Sequence, residues 1–390
     1  GTALIDKWYS IRKKQQARGF HDQDGLYKFL TEEDREQVDF VGRFTVVVNG
    51  TVKLAQLPAT QFQNGYSHCV NKVHTAHSLQ PYEAHFVWVW GNNNGKMHRM
   101  REAMYFADPA EYYVQGGQGA HINVPTQTGD GATGAGPSFQ LTDTPESEAT
   151  GRAGFVSVDL PHIETPEGFN EWRDVKEDTE KMVSHHLTHV AAQLSEVYHA
   201  FVLAHLLNRT LVLPRVKCWC IQNWFENPLC RLPGELHTQF PLDCPADFLF
   251  DMNKLYSVEV QGHRVPIREY SFLDNPRRPV DVPLTVQAVP GALGATYHEG
   301  QDRVEVPPGM DDEALLAMLA DELPHYRRVH FASPPTQLLG GIRSLKKALA
   351  FREVLSKLPV EWCCRPDVVV KAHPELPLRH RLVMEPRMGS

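Results

Sequence analysis

Apolar residues at Leu187, Val190, Ala191, Leu194, Val197, Tyr198, Phe201 and Val202 recur at the i, i+3, i+4, i+7 spacing of one helix face, so the chain predicts a long helix with a single buried stripe there. Directly after it, Thr210-Leu-Val-Leu-Pro214 is a short β-branched run closed by proline. A helix feeding such a strand is an α/β unit. The pattern returns more weakly as a helix over 311–323, a strand over 329–332 and a helix over 342–358. Residues 166–390 therefore read as a Rossmann-like α/β domain, with no internal sequence repeat.

The first third is patterned differently. Residues 4–18 predict a helix, and the β-rich runs 44–48 and 51–57 flank Asn49-Gly50. Asn-Gly favours a two-residue hairpin turn, because both positions must tolerate positive φ. His85-Phe-Val-Trp-Val-Trp90 predicts an apolar strand, followed by the polar turn Gly91-Asn-Asn-Asn-Gly95-Lys96 and a helix over 97–104. Between the two regions, 116–137 is rich in glycine and 142–150 is acidic, a composition that buries too little apolar surface to offset backbone entropy. The expected organisation is a domain at 1–114, a linker at 115–165 and a domain at 166–390.

Composition narrows the class. A 390-residue chain with 42% hydrophobic and 22% charged residues excludes collagen, coiled coil and wholesale disorder. Lys and Arg number 39 against 47 Asp and Glu, so the net charge of −8 gives no broad attraction to phosphate backbones, and nucleic acid is a poor partner. The best apolar run, 200–207, is interrupted by His205 and is too short to span a bilayer. The opening Gly1-Thr2-Ala3-Leu4 carries no secretory signal pattern, which leaves a cytosolic chain or a piece whose N-terminal address lies elsewhere.

Four of the seven cysteines, Cys218, Cys220, Cys230 and Cys244, sit close together without the paired hooks of a zinc module. Two disulfides fit a secretory lumen better, with buried thiols as the alternative. The sequons at Asn49 and Asn208 matter in the same compartment.

Candidate chemistry is sparse. His21-Asp-Gln-Asp-Gly25 places carboxylates two apart on a loop, suited either to a hard cation or to capping the next helix. His85 opens an apolar strand, a place that more often holds a satisfied core histidine than a ligand. Gly95-Lys96 opens the following helix, where a lysine and helix N–H groups can hold a diphosphate. The run Lys96, His98, Arg99 and Arg101 reads equally well as a solvated helix face. Residues 268–276, Arg-Glu-Tyr-Ser-Phe-Leu-Asp-Asn-Pro, cap a cleft or form a structural turn. Gly-x-Ser-x-Gly, His-Glu-x-x-His and Walker motifs are missing, which demotes hydrolase and ATPase readings.

Several of these strings resemble a known family. Asp22-Gln23, Leu57-Pro-Ala59, Arg99-Met-Arg-Glu102, Tyr105-Phe-Ala-Asp-Pro-Ala-Glu-Tyr112, Leu207-Asn-Arg-Thr-Leu-Val-Leu-Pro214, Trp224-Phe225, Cys244-Pro245, the 268–276 string and Trp362-Cys-Cys364 are similar to the plant and algal nucleotide-sugar transferases that include extensin arabinosyltransferases and pectin xylosyltransferases. The 268–276 string points to the extensin arabinosyltransferase branch.

The resemblance implies an α/β chain with a partial GT-A-type domain at 1–114. It implies transfer of a sugar, arabinofuranose first among candidates, from a UDP-sugar to a hydroxyproline-rich glycoprotein or polysaccharide, with retention of configuration and with Mn²⁺. Asp22 and Gln23 then match the pair near the reacting sugar, His85 the metal-binding histidine and Lys96, with Gly95, the diphosphate contact. The family's metal-binding Asp-x-Asp lies well upstream of Asp-Gln, so the chain reads as a C-terminal portion, inactive alone. Asn64-Gly65-Tyr66 replaces the family's Ser-Gly-His. Kinship also implies a Golgi-lumen type II membrane protein anchored outside this segment. The competing class is a non-catalytic scaffold that lacks the donor-binding half.

Overall fold

The computed structural model describes residues 2–15, 44–47, 52–55, 57–87, 89–114, 116, 154–173, 176–221, 230–231, 238–298, 301–362 and 380–386. Two compact units emerge. Residues 1–63 with 79–83 form one, and residues 64–78 with 84–390 form the other.

In the first unit the helix Thr2–Gln15 begins two residues before its expected start. The strands Phe44–Val47 and Val52–Ala55 pair antiparallel, Val47 opposite Val52, as the Asn-Gly turn signal requires. Asn49 itself lies outside the described residues.

The second unit is built on a seven-stranded sheet in the order Ile267–Arg268, Thr210–Val212, Phe155–Val158, Arg328–Phe331, Leu284–Ala288, Arg303–Val306 and Thr296–His298. All neighbours are parallel except the last pair. Parallel neighbours need a crossover, and the helix Lys176–Leu206 supplies one between Phe155–Val158 and Thr210–Val212. Its stripe at Val190, Leu194, Val197, Tyr198, Phe201 and Val202 is buried, as the periodicity predicts. Mixed α/β architecture is thus present. The later helix–strand–helix pattern is also found, as Asp312–Leu319, Arg328–Phe331 and Leu345–Leu355.

Three local expectations change. Phe155–Val158, inside the range read as linker, is fully buried and sits near the middle of the sheet. The expected strand at 85–90 is replaced by a short strand, Glu83–His85. Beyond it the backbone serves packing and capping rather than a ladder: Gly65 lies so close to the Val87 carbonyl that an added Cβ would come within 2.3 Å of the oxygen, and the Trp90 N–H donates to Asp247 Oδ2 at 2.8 Å. The helix expected at 97–104 instead runs Asn92–Glu102, because Gly91 adopts φ 83° and turns the chain about one helical turn earlier.

Cys218 pairs with Cys244 and Cys220 with Cys230, which settles the open pairing. Both bridges lie in the buried core. Among the described residues no helix is long and apolar enough to cross a membrane.

Candidate functional site

Asp22 and Gln23 lie outside the described residues. His85 is exposed at the end of its strand, and Lys96 is exposed on the helix Asn92–Glu102. Because that helix starts at Asn92, Gly95-Lys96 does not open it. The Gly95 N–H already donates to the Gly91 carbonyl at 3.1 Å, so the open N–H groups of the first turn belong to the three preceding asparagines. Gly95 is buried for a packing reason: a Cβ there would stand 1.7 Å from the Trp90 oxygen. Among the described residues no three His, Cys, Asp or Glu side chains gather to hold a metal. A single imidazole such as that of His85 does not hold Mn²⁺ unaided.

The basic run beside Lys96 is not a solvated face. His98, Arg99, Arg101 and Glu102 are all buried, where charges are tolerated only with partners. Arg99 donates through Nε to Asp247 Oδ1 at 3.0 Å and is also bonded to it through Nη2, while Glu102 Oε2 lies 3.7 Å from Arg99 Nε. Glu102 Oε1 accepts from the Ala246 N–H at 2.9 Å and lies 3.4 Å from His98 Nε2. His98 Nδ1 and the Tyr256 hydroxyl share a 2.8 Å hydrogen bond. Arg101 is ion-paired to Asp108 and stacks on Tyr112, 4.6 Å from the ring centre. Tyr112 donates to Glu269 Oε2 at 2.5 Å. These contacts tie the residues that follow Lys96 to the start of the 268–276 string.

This network has a pH signature. Burial alone would push the His98 imidazolium down, but Tyr256 and Glu102 outweigh it and hold its pKa at about 10. A pKa raised above the unfolded value contributes stability that is complete below pH 6.5 and is lost as pH rises toward 10. His68 and His185 act oppositely. Burial, aided by a neighbouring histidine in each case, lowers both to about 4, so their contribution is present above pH 6.5 and is lost as pH falls through 4. Urea-unfolding midpoints should therefore decline from pH 7 to 9, and His98→Gln should flatten that limb. An unchanged slope in the variant would remove His98 as its cause.

A cleft of about 410 Å³ opens elsewhere in the same unit. Its walls include the segments that leave the carboxyl ends of three parallel strands: Asp159 to Ile163, Leu213 to Arg215, and Tyr270 with Leu273. In open α/β sheets ligands favour this end, where the strand order reverses. Here the order runs outward from Phe155–Val158 toward Ile267–Arg268, then resumes on the other side beyond Arg328–Phe331.

His330 faces Ser157 across this junction, with Nδ1 3.1 Å from Ser157 Oγ and Nε2 3.5 Å from Asp159 Oδ2. Burial lowers the His330 pKa despite the opposing pull of Asp159. At the rim, Asp243 takes ion pairs from Lys72, Arg215 and Lys217. Its burial alone would raise its pKa, yet Lys217 foremost, with Lys72 and Arg215, holds it below the ordinary carboxylate value. Of the 268–276 string, Tyr270 and Leu273 line the cleft while Arg268, Glu269 and Phe272 are buried, so the string serves both readings.

Ser157, Asp159, Arg215, Lys217, Arg328 and His330 were not singled out from the sequence. The available signal was positional: each lies on a sheet strand or within a few residues of a strand end.

No family profile matches the chain, and no solved structure matches it. Arabinosyltransferase XEG113 of Arabidopsis thaliana is 26% identical to it over 353 residues, covering 88% of this chain and 47% of that protein. The chain thus spans about half the length of the curated relative it matches. This likeness to a plant arabinosyltransferase runs in the same direction as the resemblance carried by the motifs.

Proposed function

We propose that the protein is a glycosyltransferase that moves a pentose, arabinofuranose first among candidates, from a UDP-sugar to a glycan on a hydroxyproline-rich cell-wall glycoprotein, with retention of configuration. The similarity to Arabinosyltransferase XEG113 along 88% of the chain carries this reading. The exposure of His85 and Lys96 agrees with it, since both side chains are open to a ligand. In this reading the Lys96 ammonium stabilises negative charge as the diphosphate departs, and the Asp22 carboxylate, with Gln23, orients the sugar and steadies positive charge at its anomeric carbon. Mn²⁺ would neutralise diphosphate charge, with His85 as one of its ligands. Golgi-lumen residence and a membrane anchor outside this segment belong to the same proposal.

The test is full-length protein with UDP-arabinofuranose and Mn²⁺ on short hydroxyproline-arabinoside acceptors. Transfer is expected, and Lys96→Gln should lower kcat/KM by about 100-fold, the effect of removing one donor aimed at developing charge. His85→Ala should raise the Mn²⁺ concentration needed for half-maximal rate. Absence of sugar transfer or release with every UDP-pentose and UDP-hexose would favour the non-catalytic scaffold. Full activity in both variants would remove the assigned roles.

A further inference from the structure

The cleft at the carboxyl ends of the parallel strands is unused by the proposed transfer chemistry, whose residues are Asp22, Gln23, His85, Gly95 and Lys96. Its volume of about 410 Å³ lies within the 300–1,000 Å³ of ordinary small-molecule sites. It sits where the strand order reverses.

Charge selects the ligand class. Lys72, Arg215 and Lys217 face two carboxylates, Asp243 and Asp274, so among the described residues these ion pairs leave one positive charge at this edge not offset. Arg278 and Arg328 share the carboxylate of Asp281, so that with the lining residue Asp159 counted these described groups carry a net excess of one positive charge. The chain as a whole carries −8, so a cleft with cations at two of its edges runs against the background. Asp159 is the acidic residue of the lining, and it lies within reach of His330. A neutral glycan would be expected to find an aromatic platform. Tyr270 provides none, because the Arg215 guanidinium covers its ring at 4.7 Å.

We infer that this cleft binds a phosphorylated sugar, its phosphate drawn to Arg215 and Lys217 and a sugar hydroxyl to His330 between Ser157 and Asp159. The Lys217 backbone is held in place at the cleft wall: the buried Gln193 accepts from the Lys217 N–H at 2.7 Å and donates to its carbonyl at 3.0 Å. This site stands apart from the Lys96 reading and holds whether or not that reading does.

Titration calorimetry on the purified chain, with UDP, glucose 1-phosphate, inorganic phosphate and methyl glucoside as probes, tests it alongside amide hydrogen exchange. UDP or glucose 1-phosphate should bind and slow exchange in segments 155–163 and 212–217. Arg215→Gln and Lys217→Gln should each weaken that binding about tenfold, the loss of one charge-assisted hydrogen bond. Both side chains are about two-fifths exposed, at 39% and 43%, and Asp243 keeps two of its three cations in either variant, so unfolding midpoints should fall only slightly below the parent and the change in binding is read on folded protein. The proposal is overturned if neither phosphorylated probe binds, if methyl glucoside or bare phosphate binds as tightly, or if protection falls on 85–96 instead.

Discussion

Asp247→Ala should destabilise the protein by about 3 kcal/mol, read from urea unfolding followed by tryptophan fluorescence. The carboxylate is 2% exposed and accepts from Arg99 Nε at 3.0 Å and from the Trp90 N–H at 2.8 Å. Removing it leaves a guanidinium that is 1% exposed without its main counter-charge, a change that costs about 3–5 kcal/mol in buried pairs. Glu102 stays 3.7 Å from Arg99, so the loss belongs at the lower end of that range. Burial pushes the Asp247 pKa up, and Glu102 adds to this, more than Arg99 pulls it down, which means the pair was expensive to bury. The paired substitution Arg99→Met with Asp247→Leu should therefore lose less than Asp247→Ala alone. A single-variant loss under about 1 kcal/mol would show that the network is not holding a buried charge.

The contrast between what could and could not be read from the sequence follows range of interaction. The helix Lys176–Leu206 and the strand Thr210–Val212 were legible because burial imposes a local period on consecutive residues. The segment 85–90 was misread for the same reason in reverse. Its apolar residues Phe86 and Val89 are buried, but an apolar run reports burial and not a ladder, and Gly65 and Asp247 claim its backbone from 22 and 157 residues away.

Arg99 and Arg101 look solvated in a polar string, since their carboxylates, Asp247 and Asp108, are not helix neighbours. The four residues Phe155–Val158 were hidden beside low-complexity sequence, though their apolar, β-branched character was visible. The cleft needed still more: Ser157 meets His330 because two strands about 170 residues apart pair in register. Chemistry assigned through kinship, at Asp22, Gln23, His85 and Lys96, was nameable from motifs, whereas chemistry created by strand order was not.

Gly95→Ala should be about as damaging as the loss of Asp247, near 3 kcal/mol by the same unfolding measurement. Intrinsic helix propensity points the other way, favouring alanine by about 1 kcal/mol inside a helix. Packing decides. The new Cβ would stand 1.7 Å from the Trp90 oxygen, 2.8 Å from its carbonyl carbon and 3.2 Å from Val89 Cγ1. Two of those atoms are backbone, which cannot swing aside as a flexible side chain would, and Trp90 is itself fixed by its N–H donated to buried Asp247. Overpacking of this kind costs about 1–3 kcal/mol, and a backbone clash lies at the top of the range. Gly341→Ala is the control, because nothing lies within 4 Å of the Cβ it would introduce and its φ is not left-handed. It should stay within about 0.5 kcal/mol of the parent. The same pair of variants separates two roles for this glycine. If Gly95 were present only to admit a diphosphate, Gly95→Ala would match the control in stability and lose donor binding. If the glycine serves the helix against the Trp90 carbonyl, stability falls with or without a nucleotide sugar.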